Sequence, residues 1–150
     1  MSRWIPPPVA LAIAAVAMWL IGRSVPFAHF SLPYQTTAAV ALIVLGIGVA
    51  AWGLRSFARA GTTPNPVHPG RATRLVTSGP YAFTRNPMYV GDAIALLGVA
   101  VWSGSGLSLL ALAAFIAFID RSQIATEEKA LLGIFGDEYA AYRKRVRRWL

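Results

Sequence analysis

Groups that commonly carry catalysis or bind metals are scarce in this chain. It contains no cysteine and only two histidines, His29 and His68. The absence of cysteine excludes disulfides, thiolate nucleophiles and cysteine-based metal sites, and two imidazoles are too few for a histidine-rich metal centre. His68 lies in a turn-forming run, Asn65-Pro66-Val67-His68-Pro69-Gly70, which is typical of a loop. We therefore expect no bound metal.

Acidic residues are also few, since six stand against fourteen lysines and arginines for a net charge of +8. Such a charge can indicate a nucleic-acid partner. However, 56% of the residues are hydrophobic and the mean hydropathy is +0.53, which is too apolar for an ordinary soluble domain. In a membrane protein, basic residues report topology and contact anionic headgroups. We expect membrane lipids, and no nucleic acid, as partners.

Four apolar segments predict an all-α integral membrane fold with about four transmembrane helices, a C-terminal cytosolic helical region and no Rossmann domain. The spans cover about 8–22, 36–54, 87–102 and 106–120, with tail helices over 121–146, in a single domain of residues 1–150. The first segment resembles a signal peptide in its basic start and short apolar run. Trp4 and the prolines at 6–8 suit an interfacial anchor better, so we interpret it as a retained helix.

Glycines mark close contacts and breaks along these segments. Gly46 and Gly48 would let another helix approach the second span closely. The linker Ser103-Gly104-Ser105-Gly106 predicts a tight hairpin between the third and fourth spans. Gly133 and Gly136 weaken the tail helix.

The distribution of lysine and arginine predicts the orientation in the membrane. The loop after the second span and the tail are the basic regions, with Arg55, Arg59, Arg71, Arg74 and Arg85 in the loop and Arg121, Lys129, Arg143, Lys144, Arg145, Arg147 and Arg148 in the tail. By the positive-inside rule both regions and both termini are cytoplasmic, in the cell inner membrane if the source is bacterial. The rule also places the polar entry to the third span and the tail on one membrane face.

Four polar residues near this face are candidates for chemistry, each with a simpler alternative. Glu127 and Glu128 can accept hydrogen bonds from ribose hydroxyls or an amino group, or they are a solvated helix face. Arg85 either clamps a carboxylate or snorkels to headgroups. Asp92 is the only acid inside an apolar span, where acids face a protein interior or a hydrated position.

The chain has no glycine-rich phosphate loop after a strand and no recognisable nucleophile–base pair. Its chemistry therefore needs little from protein acid–base groups. Methyl transfer from a sulfonium fits this requirement, because the leaving group is neutral and alignment supplies much of the catalysis.

Two separated motifs point to a family. The first is Leu75-Val76-Thr77-Ser78-Gly79-Pro80-Tyr81, followed by Arg85-Asn86-Pro87-Met88-Tyr89-Val90-Gly91; the second is Glu127-Glu128, followed by Phe135-Gly136-Asp137-Glu138-Tyr139 and Tyr142. In order and spacing they resemble the isoprenylcysteine carboxyl methyltransferase family, which is related to the membrane phospholipid N-methyltransferases. The resemblance extends over about residues 60–145.

The resemblance implies an integral-membrane enzyme that uses S-adenosyl-L-methionine in a cytosolic pocket, with a lipid-facing opening for a hydrophobic substrate. It also implies the cofactor-binding residues, which are Thr73, Arg74, Leu75, Val76, Tyr81, Arg85, Asn86, Pro87, Met88, Tyr89, Glu127 and Glu128. Arg85 and Asp92 are the candidate catalytic residues.

This chain departs from the family pattern at two positions. Many relatives carry histidine in place of Asn86, and asparagine can hydrogen-bond but cannot act as a base. Members that methylate prenylcysteine carry an arginine one turn before the motif glutamate, where this chain has Gln123 and, two residues away, Arg121. Both departures disfavour a carboxylate substrate.

We therefore expect an S-adenosylmethionine-dependent membrane methyltransferase acting on an O, N or S atom of a lipophilic small molecule or lipid that enters from the bilayer. Two alternatives stay open at this point. One is an NADPH-dependent membrane reductase of sterol-reductase-like fold, and the other is a non-enzymatic membrane accessory protein.

Overall fold

Five α-helices contain most of the residues that the computed structural model describes, which are 5–25, 28–63 and 73–150. They are α1 (Pro7–Ser24), α2 (Gln35–Ala60), α3 (Pro87–Ser103), α4 (Ser108–Phe118) and α5 (Ala125–Arg145). A 3₁₀ turn, Gly79–Ala82, precedes α3, and a π turn, Ile119–Ile124, joins α4 to α5. Within these residues the only β pairing is two isolated bridges. Arg3, Trp4, His68 and Arg71 lie outside the described residues.

Three helical segments are long and apolar enough to span a membrane, namely α1, α2 and the continuous segment Ser108–Arg145. The fourth, α3, is a shorter apolar helix of 17 residues. Large apolar side chains on α1 and α2 are exposed, among them Ile13 and Val44, as expected of surfaces that face lipid rather than water. The prediction of an all-α integral membrane fold is confirmed. The single-domain organisation stays a prediction.

Close packing of α2 against α3 forms the centre of the helical bundle. A Cβ atom on Gly91 would lie 2.5 Å from the carbonyl oxygen of Gly46, and one on Gly98 would lie 2.8 Å from that of Ala39. Glycine therefore lets the two backbones touch, as small residues do in membrane helix pairs. The prediction was right for Gly46 and wrong for Gly48, whose missing Cβ faces open space.

The predicted hairpin between the third and fourth spans is confirmed, and it is fixed to the loop between α1 and α2. Gly104 ends α3 in the left-handed conformation, with a φ of 62°, which costs glycine little. Its carbonyl accepts a 2.8 Å hydrogen bond from the Phe30 amide, and the Gly106 amide donates to the Ala28 carbonyl at 2.9 Å. These bonds hold one end of the bundle together.

The opposite end is organised by the π turn. Ile119 and Ile124 are both fully buried, because a π turn bonds residue i to residue i+5 and so places them above one another. Gln123, on the same turn, donates a 2.8 Å hydrogen bond to the carbonyl of Ile5, just before α1. The predicted helix past Asp120 is present, and it bends where Gly136 adopts a φ of 49°.

Replacing Gly46 by alanine is expected to lower the free energy of unfolding by about 1–3 kcal/mol, the usual cost of overpacking. The new methyl group would meet the backbone of α3 at Gly91 and Ala95. Gly48→Ala, on the same helix, is the matched control and is expected to unfold at or above the wild-type temperature. Thermal unfolding in detergent measures both; equal stability of the two variants would contradict the close α2–α3 contact.

Candidate functional site

A cleft of about 750 Å³ opens where the polar loop before α3 meets the tail helix α5. We call residues 73–86 the motif loop. The walls come from the end of α2, the motif loop, the first turn of α3 and α5. The lining residues are Phe57, Thr63, Arg74, Leu75, Val76, Tyr81, Arg85, Asn86, Met88, Tyr89, Glu127, Glu128, Leu131, Tyr139 and Tyr142.

The motif loop takes its shape from glycine and proline at defined positions. Gly79 has a φ of 63°, and a Cβ there would lie 3.1 Å from the Ser56 hydroxyl on α2. The 3₁₀ turn follows directly, and the Thr84 hydroxyl accepts a 3.1 Å hydrogen bond from the Asn86 amide. Pro87 then occupies the first turn of α3, where its missing N–H is not needed. The predicted helix start at Pro87 is confirmed.

Tyr89 and Glu127 join the two halves of the cleft. The Tyr89 hydroxyl, on α3, donates a 2.6 Å hydrogen bond to Oε1 of Glu127, on α5. Tyr89 itself is only 7% exposed. Within the described part of the chain no cation lies within ion-pair distance of Glu127, so its carboxylate brings a negative charge to the cleft.

Glu128, the neighbouring acid, is in the opposite situation. It is buried and lies between two guanidinium groups, 2.8 Å from Nη2 of Arg85 and 2.5 Å from Nη2 of Arg148. Arg85 also donates to the carbonyl of Arg143 at 3.2 Å, while its Nε is buried without a hydrogen-bond partner in the structure. Arg148 reaches Asp120 as well, at 3.1 Å. Burial of Glu128 is tolerated because both partners are cations.

Aromatic side chains form the remaining wall. Tyr81 is buried and meets the ring of Phe57 edge-on, with the centroids 5.2 Å apart. The hydroxyl of Tyr142, on α5, donates a 2.7 Å hydrogen bond to the Tyr81 carbonyl. Burial raises the pKa of Tyr81, and the nearby charges of Tyr142 and Glu127 add to the effect. Tyr81 therefore stays protonated and offers a neutral hydroxyl to the cleft.

Most of the sequence-predicted cofactor residues line this one cleft. They are Arg74, Leu75, Val76, Tyr81, Arg85, Asn86, Met88, Tyr89, Glu127 and Glu128. Thr73 does not line it; its amide donates to the Thr62 hydroxyl at 3.0 Å. Pro87 is fully buried behind it. Asp92 lies one turn further along α3 than the lining residue Tyr89, outside the cleft.

Sequence reasoning missed two groups of residues at the site. Phe57 and Thr63 come from the end of α2 and the residues after it, which carry no motif. The basic residues around Phe57 are consistent with its position on the same membrane face as the tail, but they do not single it out. Arg148, Asp120 and Trp149 were missed because they looked like a basic tail and an isolated acid. Their pairing depends on a chain reversal after α5 that the composition does not indicate.

The cleft combines a carboxylate that forms no ion pair among the described residues, a paired carboxylate, neutral hydroxyls and an apolar floor. Such a surface can bind a polar, positively charged molecule at one end and leave an apolar face for a second molecule. In the described ranges, no group of three or more histidines, aspartates or glutamates is placed to hold a metal ion.

The sequence profile of the phospholipid methyltransferase family matches residues 34–138. This range includes every lining residue of the cleft except Tyr139 and Tyr142. The chain belongs to this family. Several similar proteins also carry methyltransferase names, which indicates the general class of chemistry.

Individual relatives match less than half of this chain. Protein-S-isoprenylcysteine O-methyltransferase of Schizosaccharomyces pombe is 42% identical over 72 residues, which are 48% of this chain and 30% of that protein. Methanethiol S-methyltransferase 1 of Bradyrhizobium diazoefficiens is 36% identical over 66 residues, 44% of this chain and 22% of that protein. A protein of Haemophilus influenzae without a functional name is 44% identical over 63 residues, 42% of this chain and 100% of its own.

These comparisons confirm the resemblance to isoprenylcysteine methyltransferases. The matched region spans under a third of either named methyltransferase. In the present structure Gln123, at the position that departs from the prenylcysteine pattern, is 5% exposed and holds the Ile5 carbonyl. It is thus occupied in a contact between helices.

Replacing Glu128 by glutamine is expected to lower the free energy of unfolding by about 3 kcal/mol, because it leaves a buried guanidinium without its counter-ion. The side chain of Arg85 is only 10% exposed and cannot move into water without unfolding the motif loop. The control is Glu138→Gln, an exposed position on the same helix, which is expected to change stability by less than about 0.5 kcal/mol. Chemical denaturation in detergent measures both, and equal losses would contradict the buried network.

Proposed function

We propose that this chain is an S-adenosylmethionine-dependent integral-membrane methyltransferase that acts on a lipophilic small molecule or lipid. The observation that carries this is the bond between Tyr89 and Glu127, which joins the two family motifs across one cleft. When bound, the cofactor supplies an electrophilic methyl group on a sulfonium, and transfer leaves a neutral thioether.

The residues of the cleft suit this cofactor. The carboxylate of Glu127 would accept hydrogen bonds from ribose hydroxyls or an ammonium group. The buried Nε of Arg85, which has no partner in the structure, offers one donor to a carboxylate. Asn86 and Tyr81 would contribute neutral hydrogen-bonding groups, and Leu75, Val76 and Met88 apolar contacts.

Arg85 acts chiefly through position. Two of its nitrogens are taken by Glu128 and by the Arg143 carbonyl, so the guanidinium is held rigidly at the edge of the cleft. An acceptor that is already a carboxylate needs no base. An amine, alcohol or thiol must lose a proton. Asp92 lies outside the cleft, one turn beyond Tyr89, so we propose it as the proton acceptor only for a substrate that reaches this part of α3.

The acceptor is proposed to enter from the bilayer. The relatives' names differ in the acceptor atom, with an O-methyltransferase of isoprenylcysteine and an S-methyltransferase of methanethiol. Each named acceptor carries an apolar group, an isoprenyl chain in one and a methyl group in the other. In this chain the apolar surfaces of α1 and α2 face lipid, and α3 links them to the cleft. We therefore propose an apolar acceptor that is methylated on an O, N or S atom.

S-Adenosylhomocysteine is expected to raise the unfolding temperature of the purified protein in detergent, whereas NADPH is not. Stabilisation by NADPH alone would favour a membrane reductase instead, and stabilisation by neither would favour an accessory protein. In Tyr89→Phe and Glu127→Gln, titration calorimetry is expected to show about tenfold weaker binding, since each change removes a hydrogen bond to a charged group. Asp137→Asn, an exposed acid on α5, is the control. Unchanged affinity in both site variants would remove the cofactor from this cleft.

We also propose that both termini and the cleft are cytoplasmic, in the inner membrane if the protein is bacterial. Because the chain has no cysteine, single cysteines report topology without background. Ser31→Cys, between α1 and α2, is expected to react with a membrane-impermeant maleimide on intact cells. Thr77→Cys, in the motif loop, is expected to react only after permeabilisation. Both positions are exposed in the structure, and the reverse labelling pattern would contradict the orientation.

A further inference from the structure

After α5 ends at Arg145, the chain turns back and crosses the motif loop. We call residues 146–150 the strap. Val146 is extended, with φ −119° and ψ 132°, and the strap then runs parallel to the end of the motif loop through a bridge between Thr84 and Arg147. The Arg85 amide donates to the Arg147 carbonyl at 2.9 Å.

The carbonyl of Arg148 accepts hydrogen bonds from two side chains of the motif loop. Asn86 Nδ2 donates to it at 2.8 Å and the Thr84 hydroxyl at 3.2 Å. The hydrogen bond from its side-chain amide fixes the orientation of Asn86, which lines the cleft. With one of its two side-chain N–H groups committed to the strap, Asn86 keeps the other N–H and its side-chain oxygen for a ligand.

The side chain of Arg148 contacts the other wall. Its Nε and Nη2 donate to the two carboxylate oxygens of Glu128 at 3.2 and 2.5 Å, while Nη1 donates to Asp120 at 3.1 and 3.2 Å. Trp149 donates its indole N–H to the same aspartate at 2.9 Å. These hydrogen bonds raise the pKa of Arg148, so it remains a cation.

A planar guanidinium is required for this arrangement. Only a fork of several N–H groups can bind one carboxylate through two bonds and reach a second carboxylate at the same time. Together with Arg85, the strap arginine gives a cluster of two cations and two anions, Glu128 and Asp120, in which each buried charge has a partner.

Building on the methyltransferase function proposed above, we propose that the strap is a positioning element of the cofactor site and that Arg148 is its positioning residue. Arg148 touches neither reacting group. Its carbonyl holds Asn86 on the motif loop, and its guanidinium holds Glu128, the residue next to Glu127, on α5. One residue thereby sets the distance between the two walls that carry the cofactor contacts.

Three variants of the full chain in detergent test this role. Arg148→Gln removes the fork, Arg148→Lys keeps the charge but not the fork, and Arg145→Gln is the control, an exposed cation at the end of α5. The dissociation constant of S-adenosylhomocysteine is expected to rise about tenfold in Arg148→Gln and by an intermediate factor in Arg148→Lys, with no change in Arg145→Gln. Hydrogen exchange over residues 84–90 is expected to accelerate in the same order.

A merely structural role predicts a different pattern. Arg148→Gln would then unfold at a lower temperature, but its folded fraction would bind with wild-type affinity and exchange normally; that result overturns the positioning role. If Arg148→Gln does not fold, Trp149→Phe replaces it. This change removes the bond to Asp120 and keeps an aromatic ring against the core, and the same two measurements apply.

The outcome for the cofactor is read separately. If the wild-type protein does not bind S-adenosylhomocysteine, the proposed function fails. Hydrogen exchange then tests the role of the strap by itself. Faster exchange of residues 84–90 in Arg148→Gln supports the proposal that the strap holds the motif loop in place, and unchanged exchange refutes it.

Discussion

A buried carboxylate between two guanidinium groups is the constraint on which the cleft depends. A carboxylate at 6% exposure needs cations beside it to offset its burial, and those of Glu128 come from the motif loop and from the strap. Satisfying one charge therefore fixes three separate segments of chain relative to one another. Glu127, the preceding residue, forms no ion pair within the described residues and accepts a hydrogen bond from Tyr89 across the cleft. Glu127 and Glu128 are adjacent in sequence but have different roles, because different side chains contact them.

The membrane-embedded part of the fold supports this arrangement from below. Glycines let α2 and α3 touch along their backbones, which places the end of α2 behind the motif loop and lets Ser56 and Trp52 lie near Gly79. The π turn shifts the register of the last long helix where it leaves the apolar region and directs Asp120 towards the strap. Lipid-facing packing and the polar site are therefore parts of one structure, connected through short contacts at the helix ends.

The sequence predicted those features that are determined locally. Pro87 predicted the start of α3, and Gly104 predicted the hairpin. The positions of the basic residues predicted that the motif loop and the tail lie on one face. Tyr89 and Glu127 were associated through family motifs, not through any spacing that fixes their contact. Gly48 was wrongly assigned because a glycine in an apolar run does not reveal which side of the helix it faces. Arg148 was missed because its partners depend on a reversal of the chain and on a π turn, both set by tertiary contacts.

The long sequence separation of the strap contacts has a consequence for biosynthesis. Asn86 and Thr84 bond a carbonyl that lies 62 and 64 residues further along the chain. During membrane insertion, the motif loop leaves the ribosome well before α3, α4 and α5 have been laid down beside it. In that interval Arg85 lacks its counter-ion at the entry to an apolar helix, where a lone cation is costly. Water and lipid headgroups must solvate Arg85 until the later helices are inserted. The polar cleft therefore forms after the apolar helices, which can associate earlier.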